Sequence, residues 1–386
     1  MNPVQKGLIA LIRSALTGKA YPLPADFSLA QAGDIARSHQ VVGLAYEGAL
    51  LCGIPRQDPA MERLFRLYCQ GHFRSNRQMA AINTLTAAFE EAGIDYLPVK
   101  GWVLKALYPK AAMRPMADAD ILIRDAQKDR IAPLMTGLGY REKSVYDYEW
   151  TWQSRELTAE LHTRLMPSFP IGGFRYAFDG WEHAAVTRGH RYDLIPEEAY
   201  IYLFAHFVKH YRGRGIGLRQ LIDLWVFRRA NPAMDEDRIA RRMTQMGLNE
   251  FYGNTCRLLE NWFADGPADE KTQCIARHIF AGGSWGTEEQ AAFAAGVRDT
   301  GDTRAPAKSR RRALRLRIFL PYIHMQNRYP VLRKCPWLLP VFWPVRWAET
   351  LLFRREKIKE FRAQKAALTD ENIETYRKSM EVVGLR

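Results

Sequence analysis

Asp118 and Asp120 stand two residues apart at the head of a short apolar run, Asp118-Ala119-Asp120-Ile121-Leu122-Ile123. The run reads as a strand, and alternate residues of a strand share a face. Two acids on one face repel unless a positive charge sits between them. A divalent ion such as magnesium, held for phosphate chemistry, is the simplest such charge. The pattern is short, so a solvated acid pair at a strand start stays open as the alternative. A further run at 157–165 places Glu160, His162 and Arg164 on one strand face. Glu160 there fits the third carboxylate of a two-metal site; the same row also fits a polar face turned to water.

The elements that would position these groups can be read on either side. The run 94–99 is a strand, and Lys100-Gly101 leads from it into a helix at 102–107. A glycine between strand and helix lets backbone amides approach a phosphate, and a helix N-terminus favours the anion. Pro109 and Pro115 mark a loop before the strand 118–123. Asp125 suits the N-cap of a helix running to 138, kinked at Pro133 and stopped by Gly139. Strands are expected at 146–152 and 157–165.

Residues 1–92 have helical apolar spacing and stop at Gly93. Helical spacing returns at 198–210, behind Pro196-Glu197-Glu198, and at 218–229. The Gly- and Arg-rich loop 211–217 between them suits a phosphate contact or a solvated connection. His206 and His210 lie four apart without the glutamate of a zinc-protease helix, which favours packing or substrate contact over a metal role.

The chain of 386 residues is long enough for two or three domains. Its net charge of +14 is concentrated at one end: residues 301–386 hold 20 Lys+Arg against 8 Asp+Glu. Arguments about an anionic partner therefore belong to that part. It opens on a basic stretch (Arg304, Lys308, Arg310, Arg311, Arg312, Arg315, Arg317). Aromatic and proline-rich turns follow, then a charged helix over about 348–367. Two readings stay open: docking on RNA or a membrane surface, or packing of its tryptophans onto the helical part with the charges outside. Five cysteines without a CxxC pair suit a reducing, cytoplasmic setting and argue against a zinc or disulfide framework. The amphipathic N-terminus, with Arg13 in its apolar portion, is a poor signal peptide. No run reaches the length of a membrane span.

Taken in order, strand, KG, helix, R…DxD, strand, helix, GY, strand and ExH resemble the polymerase-beta-like nucleotidyltransferase superfamily. The chain is similar in particular to its uncharacterised bacterial nucleotidyltransferase family. The resemblance is carried by Lys100, Gly101, Leu107-Tyr108-Pro109, Arg114, Asp118, Asp120, Gly139-Tyr140 and Glu160-Leu161-His162. It extends to DIARSHQVVGLAYEGAL before them and to IPEEAYIYLFAHFVKH and LRQLIDLWVF after, covering roughly residues 25–300.

The resemblance implies an α+β fold, a small mixed-sheet core flanked by N- and C-terminal helical segments. The expected division is 1–92 helical, 93–192 nucleotidyltransferase core, 193–300 helical, and 301–386 a basic extension. It implies Asp118, Asp120 and Glu160 as catalytic carboxylates and ligands of Mg²⁺ (or Mn²⁺). A nucleoside triphosphate, ATP among them, would be the donor. Gly101 would lie under the triphosphate, with Lys100 or Arg114 neutralising its charge and His162 beside the acids. The acceptor would be a hydroxyl or phosphate of a small molecule, a peptide or protein, or RNA. Many superfamily members carry a serine at this turn that contacts phosphate; here the turn is Lys100-Gly101-Trp102. A non-catalytic regulator that keeps the fold is the competing expectation.

Overall fold

The apolar run and the acid-bearing run pair directly. In the computed structural model, β1 (Tyr96–Val99) lies antiparallel to β2 (Ala119–Ile123), with Val99 opposite Asp120. The structure describes residues 1–145, 148–166, 180–213, 215–283, 286, 315, 318–353 and 369–385. Five more strands complete one mixed sheet: β3 (Arg141–Val145), β4 (Glu149–Gln153), β5 (Thr158–His162), β6 (Ala184–Arg188) and β7 (Arg191–Leu194). Their order is β3-β4-β5-β2-β1-β7-β6. The pairs β2–β5 and β1–β7 are parallel and the rest antiparallel.

Four helices precede the sheet: α1 (Pro3–Thr17), α2 (Leu29–Ser38), α3 (Val42–Leu51) and α4 (Pro59–Glu91). The Asp58 carboxylate caps α4 and Pro59 opens it. Gly93, at φ 63°, then turns the chain into the sheet, a conformation glycine adopts without a Cβ clash. Two short helices are interleaved with the strands, α5 (Gly101–Lys105) and α6 (Lys128–Gly137). Behind the sheet come α7 (Pro196–Tyr211), α8 (Leu218–Ala230), α9 (Glu236–Gln245), α10 (Asn249–Phe263) and α11 (Glu270–Gly282). The architecture is α+β, a mixed sheet with helical flanks.

The two-residue period of the strands divides the sheet between two cores. Ala119, Ile121, Ile123, Ala159 and Leu161 face Ile82, Leu85 and Phe89 of α4 and Ile131 and Met135 of α6. Leu97, Val99 and Leu122 belong to a second cluster with Tyr200, Phe204 and Phe207 of α7, Leu221 of α8 and Phe251 of α10. Parity puts Asp118 and Asp120 on this second face, toward α7 and α8.

Several elements differ from the sequence reading. The helix expected from Asp125 begins instead with a 3-10 turn, Asp125–Gln127, and α6 follows without a side-chain cap. The strand expected at 146–152 is β4, displaced to Glu149–Gln153; residues 146 and 147 lie outside the described residues. The β6–β7 hairpin was not foreseen. Its Ala184–Arg188 strand is mostly exposed and lacks an alternating apolar pattern to announce it.

In the C-terminal part, α12 (Tyr322–Arg328), α13 (Val331–Lys334), α14 (Leu339–Phe353) and α15 (Asp370–Val382) are described. The basic stretch at 301–317, Arg315 apart, and the charged helix beyond 353 lie outside the described residues. The expected packing of tryptophans on the helical part is not what is seen. The Trp343 and Trp347 indoles donate to the Leu320 and Ile318 carbonyls, each at 2.9 Å, within the extension itself. It is α15 that docks on the helices: Met380, Val383 and Leu385 are buried in the large core, and Asn254 donates to the Val383 carbonyl at 2.9 Å. No described helix is long and apolar enough to cross a membrane.

Candidate active site

The parallel register of β2 and β5 sets Asp120 beside Glu160 and Leu122 beside His162. Antiparallel β4 adds Thr151 opposite Glu160 and Glu149 opposite His162. Three strands thus bring four acids, Asp118, Asp120, Glu149 and Glu160, to one face of the sheet. The row on β5 does not turn to water: His162 is buried and Glu160 half-buried. Asp120, Glu160 and His162 each offer a ligand atom, and these atoms lie within 4.8 Å of one another. Asp118 lies one residue before β2, half-buried and outside that tight group.

Lys100 enters from the end of β1. Its Nζ donates to Asp120 Oδ1 at 2.6 Å, and the same oxygen lies 3.0 Å from His162 Nε2. With Nε2 donating to Asp120, His162 Nδ1 is left as a buried acceptor without a partner. The Lys100 backbone adopts φ 54°, a conformation costing a non-glycine residue roughly 1–3 kcal/mol. The turn so strained aims the ammonium along the sheet face, where it also lies 5.8 Å from the Tyr202 ring centroid.

The charges respond to each other. Burial alone would raise the Asp120 carboxyl, but Lys100 and His162 outweigh it and hold that group far below the usual carboxylate range. The Glu160 carboxyl is pushed up to about 9, first by burial and then by Asp120, Asp118 and Glu149. Asp118 is raised by burial and by Asp120, against the pull of Lys100, Arg219 and Arg114. One lysine therefore does not balance the acids. A further cation among them would offset this, and the carboxylate oxygens of Asp118, Asp120 and Glu160 are donors that suit Mg²⁺ or Mn²⁺, with His162 the one nitrogen of the tight group.

Gly101 and Arg114 are brought together, with Arg114 bonded to Asp223 rather than to the acid pair and acting on Asp118 through its charge. Arg114 is buried and spans Asp223 of α8, with Nε to Oδ1 at 3.1 Å and Nη2 to Oδ2 at 2.8 Å. Tyr108 donates to the same Asp223 at 2.8 Å. A Cβ on Gly101 would lie 2.7 Å from Arg114 Nη1 and 3.1 Å from Met116 Cγ, so the glycine makes room for this network. Gly101→Ala is expected to cost about 1–3 kcal/mol by overpacking, measured as a lowered melting temperature.

Sequence reasoning picked out His206 and His210 of α7 for packing or substrate contact but missed Tyr202 and Lys209 beside them and Arg219 of α8. Tyr202, His206, Lys209 and His210 lie on one stripe of α7, at helical spacing. Burial and the positive charge of Lys100 hold His206 well below its ordinary value. Burial, Lys209 and Lys100 bring His210 down to about 3. Burial and Lys100 bring Lys209 down to about 8, while Glu149, Asp120 and Glu160 pull the other way. From α8, Arg219 donates to the Pro115 carbonyl at 3.0 Å and leaves its buried Nε without a partner. The available signal was the polar stripe Tyr202, His206, Lys209 and His210 on an otherwise apolar helix.

A cleft of about 640 Å³ lined by Arg13, Tyr21, Trp262 and Asp265, between α1 and α10–α11, holds none of these residues.

Among known proteins, a solution structure of the antibiotic-resistance factor ANT(2'')-Ia matches with 13% identity and a TM-score of 0.33. The match covers 50% of this chain and 99% of that one, and a similarity of that size carries no argument. No curated protein sequence matches significantly. A family model described as uncharacterised nucleotidyltransferase matches residues 28–264, which span α2 through α10 and every strand of the sheet. A match of that extent places the chain in its family: it belongs to the uncharacterised nucleotidyltransferases.

Proposed function

We propose that the protein transfers a nucleoside monophosphate from a nucleoside triphosphate to a hydroxyl or phosphate of an acceptor: a small molecule, a peptide or protein, or RNA. The acceptor oxygen forms a bond to the α-phosphorus, the bond from that phosphorus to the bridging oxygen breaks, and pyrophosphate leaves. The observation that carries this reading is the acid cluster on the sheet face: Asp120, Glu160 and His162 bring ligand atoms within 4.8 Å of one another, with Glu149 opposite His162 on the neighbouring strand.

Asp118, Asp120 and Glu160 would hold the divalent ion, Mg²⁺ or Mn²⁺, with His162 fixing the Asp120 carboxylate. When bound, such an ion supplies a positive charge to the triphosphate and lowers the pKa of an attacking hydroxyl. The remaining roles follow from placement. Lys100 keeps Asp120 ionised. Arg219, with an unspent buried donor, and Lys209 meet the phosphates. Arg114, expected with Lys100 as a candidate for that contact, is bonded to Asp223 and so ties the 106–117 loop to α8.

The Glu160 shift has a direction that can be tested. Its folded value of about 9 lies above the ordinary glutamate value. Folding without metal therefore takes up a proton. The associated stability is full below about pH 4 and is lost as pH rises toward the folded value. Metal needs the carboxylate, so loading expels that proton. The melting temperature without metal should fall between pH 6 and pH 9, and the stabilisation by Mg²⁺ with nucleoside triphosphate should grow over the same interval. Thermal melts across that range check both. A Mg²⁺ effect independent of pH would remove Glu160 from the site.

Lys100 on Asp120 is the observation that favours a second reading, a regulator that retains the fold with the ammonium in place of an ion. The two part on one experiment: nucleoside triphosphates that raise the melting temperature only with Mg²⁺ support the transferase, and no Mg²⁺-dependent shift with any of them supports the regulator.

A further inference from the structure

The C-terminal extension presents an inverted helix. Along the 3-10 turn Pro336–Leu338 and α14, the exposed positions are Pro336, Trp337, Pro340, Val341, Pro344, Val345, Ala348, Leu351 and Leu352. Their spacing of three and four makes one stripe about four turns long. Every member is apolar. Trp337 is 72% exposed, Val341 59%, Leu351 65% and Leu352 69%. The polar groups of the helix lie on its other side and are spent there. Glu349 accepts from Arg328 at 2.6 Å and from Tyr329 at 2.8 Å, and Arg346 donates to the Ile318 carbonyl at 3.1 Å. A helix in water arranges its faces the other way round.

The charge around the stripe says what covers it. Arg333 and Lys334 precede it, both exposed, and the extension as a whole carries 20 Lys+Arg against 8 Asp+Glu. A second copy of the chain laid on the stripe would bring these like charges together. RNA would meet the basic groups but leave an apolar stripe with no bases to stack on beyond Trp337. An apolar face ending in a tryptophan and flanked by Arg and Lys matches the layers of an anionic bilayer surface, acyl chains under headgroups. We propose that α14 lies in the interface of a membrane containing anionic phospholipid, with Trp337, Val341, Val345 and Leu352 among the acyl chains. The nucleotidyltransferase core is thereby held at a membrane surface without spanning it.

The test is flotation of the full chain with vesicles of phosphatidylcholine alone or with added phosphatidylglycerol, at low and high salt. The expected result is binding to the phosphatidylglycerol vesicles that weakens with salt, and a loss of about tenfold or more in Val345→Asp with Leu352→Asp. Both positions are exposed, so the variant should keep the wild-type melting temperature and Mg²⁺-dependent nucleotide shift, which separates this outcome from failure of the transferase reading. Equal flotation of wild type and variant overturns the proposal. So does absence of vesicle binding with tight binding of a single-stranded RNA, or with a dimer in solution that the variant dissociates.

Discussion

Asp118→Asn with Asp120→Asn is expected to abolish transfer of labelled nucleotide, a loss of roughly 10³-fold or more. The two substitutions are not equal in their effect on the fold. Asp120 is buried and accepts from Lys100 at 2.6 Å. Neutralising it strands a desolvated ammonium, which costs about 3–5 kcal/mol. Asp118 is half-buried and is tied to its surroundings through the charges of Lys100, Arg219 and Arg114. Asp118→Asn alone should therefore leave the melting temperature nearly unchanged while removing activity. Adding Lys100→Met to Asp120→Asn should return part of the lost stability and none of the transfer. Full transfer by a folded double variant would show that these carboxylates do no chemistry.

Arg114→Met is expected to destabilise the protein by about 3–5 kcal/mol, because it leaves Asp223 buried with only Tyr108 as a partner. The effect belongs to the pair, so Arg114→Met with Asp223→Leu should be markedly more stable than Arg114→Met alone. Urea denaturation of the four proteins measures the coupling. A phosphate-binding Arg114 behaves otherwise: its loss would raise KM for the nucleotide with little change in stability, and the Asp223 substitution would rescue nothing. The same contrast applied to Arg219→Met should give the opposite pattern, a raised KM with a smaller effect on the fold.

The residues legible in the sequence were those whose partners lie nearby or obey a strand's parity. Asp118, Asp120, Glu160 and His162 could be assigned to faces from i, i+2 spacing, and the parallel register of β2 and β5 then places Asp120 directly beside Glu160. Pro196 and the two glutamates after it announced α7 correctly. What stayed hidden depends on long-range pairing. Arg114 looked like a phosphate ligand because Asp223, 109 residues away, gives no local sign of meeting it. Lys209 and Arg219 become relevant only when α7 and α8 pack on the acid-bearing face. The β6–β7 hairpin was missed for a different reason: its first strand is mostly exposed, so no apolar alternation marks it. The basic character of the C-terminal part was plain from composition, but the apolar stripe on α14 was not. Which way its hydrophobic residues face is set by the helix and its neighbours, and they turn outward.

The Asp118–Asp120–Glu160 cluster is expected to take up a divalent ion together with a nucleoside triphosphate. The most direct measurement is a calorimetric titration of Mg²⁺ with a non-hydrolysable triphosphate at about pH 7.5, repeated in two buffers of different ionisation enthalpy. Binding should require the metal, release a proton from Glu160, and lose that proton release in Glu160→Gln. Binding that ignores the metal, or proton release that survives Glu160→Gln, would contradict it.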